Sequence, residues 1–179
     1  WKNDKEKKAR LSEKDAMDSA VRSFCAELHA GFDILHIDTT TDPDYKEQVP
    51  LDIVKRRLLE LVRRVEAYRI ESKLPPVAYE VGTEDAKGGL TDVAAFEGFL
   101  KTVVEKLKSD NLPMPAFIVG QTGTQICMRD NIDNTDFNQT RTLTSIAERY
   151  GVAFKEHNAD YTNRVFLKAH PELKIRGAN

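Results

Sequence analysis

Short apolar runs alternate along this chain with longer stretches that are apolar on one side only, and this alternation limits the fold more than any other feature of the sequence. The runs are "FDILHID", "PPVAYEVG", "PAFIVGQ", "VAFKEH" and "LKIRG", each too short for a buried helix and bounded by turn-forming residues. Between them lie amphipathic stretches. Met17, Ala20, Val21, Phe24, Cys25 and Leu28 recur at helical spacing after Ser12 and Asp15, which form a capping pattern, and Gly31 supplies a stop. A second stripe after Pro50 runs through Leu51, Val54, Leu58, Leu61, Val62 and Val65, and a third, starting near Thr91, through Phe96, Leu100, Val103, Val104 and Leu107. Further helices are predicted around Thr140 to Tyr150, closed by Gly151, and around Tyr161 to Ala169.

Strand and helix in strict alternation imply right-handed crossovers and a parallel sheet, as in an open doubly wound sheet or a (β/α)8 barrel. A doubly wound sheet gathers its chemistry at one switch point, usually around a glycine-rich turn. No G-x-G-x-x-G is present, and the glycines of "VGQTG" have the wrong spacing. In a barrel every strand ends at one mouth, so successive strands should finish in polar side chains. They do: His36 and Asp38, then Glu80 and Glu84, then Gln121, then Glu156, His157 and Asp160. The expected fold is therefore α/β, a TIM-type (β/α)8 barrel. Five predicted strands cannot close it, so residues 1–179 read as a single partial barrel domain, roughly strands 4 to 8, with about three β/α units expected before Trp1.

Net charge and cysteine usage exclude several functions. A formal charge of −2 gives no field to recruit nucleic acid or an anionic membrane. The basic run at the start, interleaved with acids, reads as a solvated loop or helix entry. Cys25 and Cys127 have no metal or disulfide spacing, and no stretch has the length or apolarity of a membrane span. A reducing, cytoplasmic setting is expected.

His36 and Asp38 share a strand face, with a satisfied core histidine and a loop-capping aspartate as the plainer reading. Glu80, Gly82 and Glu84 share another; Glu80 reads as a structural barrel residue, and Glu84, nearer the strand end, as the site carboxylate. Unpaired carboxylates cost several kcal/mol to desolvate and so normally face a cation. His157 among acids carries the strongest signal, since neutral imidazole is the commonest metal ligand. A divalent ion held by His157, Glu84 and Gln121 is expected, zinc first, with manganese or a similar ion also suited to such donors. Asp38, Glu84 and Asp160 are the candidate catalytic carboxylates, and His36, Glu156, Asn158 and Arg129 the candidate substrate contacts. Lys155, of opposite parity to Glu156, is expected to face a helix or form an ion pair.

The strand ends "ILHIDTTTDP", "YEVGTED" with "GG" close behind, and "FKEHNADYTNR" resemble those of the class II tagatose-bisphosphate aldolase non-catalytic subunit family, the GatZ/KbaZ type, which carries G-T-E followed by E-x-H-x-x-D-Y; here H-x-x-D-Y is kept, and Glu156 adjoins His157 directly. The segment "GTEDAKGGLTD" departs from the proline-containing one typical of the accessory subunits. The resemblance implies a TIM barrel and one of two roles. The first is metal-dependent aldolase or ketose 4-epimerase chemistry on a sugar phosphate. The second is a non-catalytic subunit that stabilises a catalytic aldolase partner. An oligomer is expected in either case.

Overall fold

The structure, a computed structural model, describes residues 4–46, 48–82, 91–124, 126–128, 130–131 and 135–179. In chain order it holds α1 (Asp4–Lys8), α2 (Glu13–His29), β1 (Ile34–Ile37), α3 (Leu51–Glu71), β2 (Ala78–Gly82), α4 (Val93–Ser109), β3 (Phe117–Gly120), β4 (Ile126–Cys127), β5 (Asp130–Asn131), α5 (Phe137–Arg149), β6 (Ala153–Glu156), α6 (Arg164–Ala169) and β7 (Ile175–Ala178). Four of the helices begin where polar side chains cap them, while α3 begins after Pro50 without one. Ser12, Asp92, Asp136 and Asn163 each accept hydrogen bonds from backbone N–H groups of the first turn, contacts worth about 1 kcal/mol apiece. Gly31 and Gly151 follow α2 and α5 with φ of 81° and 73°, the left-handed stop expected of them.

Five strands form one parallel sheet in the order β1-β2-β3-β6-β7. Apart from a two-stranded antiparallel ribbon, β4–β5, in the β3–α5 connection, spatial order follows chain order. Leu35, Ile37, Tyr79, Val81, Ile118 and Phe154 project to one side and share a single apolar core with residues of α2, α3, α4, α5 and α6. Helices on one side only are the arrangement of a barrel wall, whereas a doubly wound sheet covers both faces. Each fully buried Leu, Val or Phe of this layer contributes about 1.5–3 kcal/mol. The opposite face carries His36, Glu80 and Lys155.

A buried ion network ties the first mouth loop to the helices. Arg57 of α3, 3% exposed, pairs with Asp42 at 2.9 Å and with Glu13 of α2 at 3.0 Å. Asp42 also accepts from the Asp44 N–H, and the Thr39 hydroxyl donates to the Val54 carbonyl, so the β1–α3 connection is fastened at several points. Among the described residues, no helix is long and apolar enough to cross a membrane.

Candidate metal centre

Parallel pairing in register sets His36 of β1 directly beside Glu80 of β2. Their shared face turns both side chains away from the helices. Glu80, only 2% exposed, receives three nitrogen groups: His36 Nδ1 at 2.9 Å and His157 Nε2 at 2.9 Å on Oε1, and Lys155 Nζ at 2.7 Å on Oε2. His157 and Lys155 come from β6 and its end, two strands away from β2. A sheet spaces such strands about 10 Å apart, a span that Glu80 and the long Lys155 side chain bridge together over β3. The two imidazoles lie with ring centroids 5.0 Å apart.

Burial works against the charge on Glu80, but hydrogen bonds from His157, His36 and Lys155 outweigh it and hold the carboxyl well below the usual carboxylate range. A carboxyl depressed in the folded state contributes stability that is complete above its unfolded pKa of about 4.3 and is lost as pH falls through the lower folded value. Denaturant midpoints should therefore drop as pH is lowered from about 5, and drop less in Glu80→Gln. Equal acid sensitivity in the two proteins would show that Glu80 is not held this way.

The donor set fits a divalent ion. One atom each of His36, Glu80 and His157 lie within 4.8 Å of one another. Nitrogen and carboxylate ligands bind zinc at about 2.0–2.2 Å, which separates neighbouring donors by about 3.4 Å. The imidazoles would retreat from Oε1 by about half an ångström and give up their protons on the facing nitrogens. Two histidines and one carboxylate leave further positions for substrate oxygen, the ligand set of catalytic rather than structural zinc.

The described cluster thus gathers on Glu80, which the sequence reading placed in the wall, and His36 joins His157 among the candidate ligands. Register was the signal that could have found it, since His36 and Glu80 both stand third in their strands. Lys155 forms the ion pair expected of it. Glu156 is the residue that turns to the helix side: fully buried, it accepts from the Thr122 hydroxyl, and its Oε2 lies 3.0 Å from His170 Nε2, without the alignment of a hydrogen bond. Burial pushes the His170 imidazole below its ordinary pKa. This corrects the reading of Glu156 as a substrate contact, because Phe154 and Glu156 share the face that packs on α6 and α4.

Asp38, just past β1, accepts from the Thr40 backbone at 2.7 Å and from its hydroxyl at 2.5 Å, the loop-capping contact. Gln121, at the end of β3, is 8% exposed and joined through its backbone to Thr91. Asp160 is exposed. Asn158, at φ 59°, offers its carbonyl to Asn131 Nδ2 at 2.7 Å, and the same amide group donates to the Asp160 carbonyl at 3.0 Å. Thr124 donates to the His157 carbonyl at 2.9 Å. The β3–α5 connection therefore clamps the loop that carries His157. Glu84 and Arg129 lie outside the described residues.

No family profile and no curated protein matches the chain. Solved structures match its fold. A probable tagatose 6-phosphate kinase from Sinorhizobium meliloti 1021 superposes with a TM-score of 0.76 at 20% identity, over 94% of this chain and 42% of that one. A putative fructose-1,6-bisphosphate aldolase from Coccidioides immitis gives 0.63 at 16% identity, over 91% of this chain and 52% of that one. Fructuronate-tagaturonate epimerase UxaE from Cohnella laeviribosi gives 0.51 at 14% identity, over 96% of this chain and 36% of that one. The chain thus spans about half or less of these three structures, and at these identities the likeness is one of fold: an α/β sheet with the order and one-sided helices of part of a TIM barrel.

Proposed function

We propose that the chain is part of a (β/α)8-barrel enzyme of the GatZ/KbaZ type, which carries out metal-dependent retro-aldol chemistry, as an aldolase or a 4-epimerase, on a ketose phosphate. One observation carries the reading. Two imidazole nitrogens from separate strands converge at 2.9 Å on a single oxygen of a buried carboxylate, a nitrogen and oxygen donor set of the kind that suits a divalent ion. The structural neighbours, a fructose-1,6-bisphosphate aldolase, a fructuronate-tagaturonate epimerase and a tagatose 6-phosphate kinase by name, support the substrate class.

His36, Glu80 and His157 would hold the ion. When bound there, a divalent metal supplies Lewis-acid polarisation of a ketose carbonyl and offsets the negative charge that develops on its oxygen. Asp38, one residue beyond β1 and oriented by Thr40, serves as the base that takes the proton from the C4 hydroxyl. The C3–C4 bond then breaks, its electron pair passing toward the carbonyl, and C4 becomes an aldehyde. Release of that aldehyde, with the proton held by Asp38 passed to C3 of the remaining enediolate, is aldol cleavage. Re-addition on its other face, with the proton returned from Asp38, is 4-epimerisation.

The test uses the full-length protein alone with zinc or manganese and either fructose 6-phosphate or tagatose 1,6-bisphosphate, products being followed by NMR. Turnover without a partner is expected. Turnover that appears only when a catalytic aldolase subunit is added assigns the chain the accessory role instead. His157→Ala should abolish turnover while leaving the circular dichroism spectrum unchanged; activity surviving in that variant rules the mechanism out.

A further inference from the structure

Lys155 occupies a place that the metal reading does not explain. Its ammonium contacts Glu80 Oε2 at 2.7 Å, the oxygen that neither histidine uses. The strand beside it is shaped to admit its stem. β6 and β7 pair Phe154 with Ile175 but Lys155 with Gly177, one residue against two, so a bulge on β7 brings Gly177 level with Lys155. A Cβ on Gly177 would stand 3.1 Å from Lys155 Cγ and 3.4 Å from Cδ. Any larger side chain there would push the lysine off its course.

We infer that Lys155 is a positioning residue for Glu80: it retains Oε2, so that the carboxylate offers a divalent cation Oε1 alone, and its positive charge keeps that cation weakly held and exchangeable. This rests on the metal reading above and goes beyond it, assigning the denticity of one ligand and the strength of binding to a residue that touches neither metal nor substrate. The physical basis is simple. A carboxylate gripping an ion through both oxygens binds more tightly and fills an additional coordination position, while an ammonium about 5 Å from a divalent ion repels it even through water-like dielectric.

The effect of removing Lys155 separates this role from ordinary support. Loss of a group that merely steadies a ligand weakens metal binding by about 10–100-fold. Lys155→Met should instead tighten binding of zinc or cobalt by at least about tenfold, measured by competition with a chelator in the full-length protein. Its cobalt form should also absorb less strongly in the visible region, as coordination rises. Lys155→Arg should keep wild-type affinity and spectrum. Gly177→Val, which alters no charge and crowds the stem, should shift both in the direction of Lys155→Met and serves as the second variant if Lys155→Met does not fold. Unchanged or weaker binding in Lys155→Met, with a wild-type cobalt spectrum, overturns the inference and leaves the metal centre standing. No cobalt binding by the wild-type protein overturns both.

Discussion

Replacing Glu80 by glutamine is expected to cost at least about a hundredfold in affinity for a divalent ion, beyond the range seen for outer-shell changes, and to remove turnover with it. The carboxamide has nearly the same shape, so the loss isolates charge and acceptor capacity. Glu80 accepts from His36, His157 and Lys155 at once, on two oxygens. An amide has one oxygen and brings two N–H donors into a ring of nitrogen groups. The ammonium of Lys155 then loses the anion it pairs with in a largely buried place. Metal content by elemental analysis and affinity by chelator competition give the result directly. A Glu80→Gln protein that still carries a full equivalent of metal would move the site elsewhere.

The second large effect concerns stability. Arg57→Ala is expected to lower unfolding free energy by about 3–5 kcal/mol, because it strands a buried carboxylate. Asp42 is 1% exposed in its side chain, and Arg57 is its ion-pair partner at 2.9 Å. Glu13, 42% exposed, loses a partner too, but it keeps Arg56 at 2.6 Å and the solvent, so little of the cost comes from that side. Urea titration should show a midpoint far below wild type. The double variant Arg57→Met with Asp42→Leu should recover most of the loss, since neither buried charge remains. A single variant as stable as wild type would mean that the network is held in water-like surroundings. The network also anchors the connection that starts at Asp38, so Arg57→Ala should weaken catalysis through that loop.

Helices α2 to α6 were legible in the sequence because each buries one face against a single sheet, and a stripe such as Val54, Leu58, Leu61, Val62 and Val65 writes that face directly into the order of residues. The β4–β5 ribbon was not, since strands of two residues are too short to show a period; "TQICMRDN" reads only as a polar loop. The site was half legible. Alternation told that His36 and Asp38 share a face, but parity carries no information about which strand positions stand level with one another. Glu80 was therefore passed over for Glu84. The segment "AFKE" illustrates a second limit: a strand buried on both sides has no apolar alternation to mark inside from outside, and only its packing on Phe96 shows that Phe154 and Glu156 look toward the helices while Lys155 looks away.

The hold that Asn131 and Thr124 keep on the backbone of residues 157–160 has an evolutionary reading. An imidazole steered by a neighbouring ribbon can be re-aimed by sequence drift in that ribbon while every ligand stays the same. Descendants of one ancestral barrel could in this way come to aim the same imidazole differently through changes confined to the connection between β3 and α5.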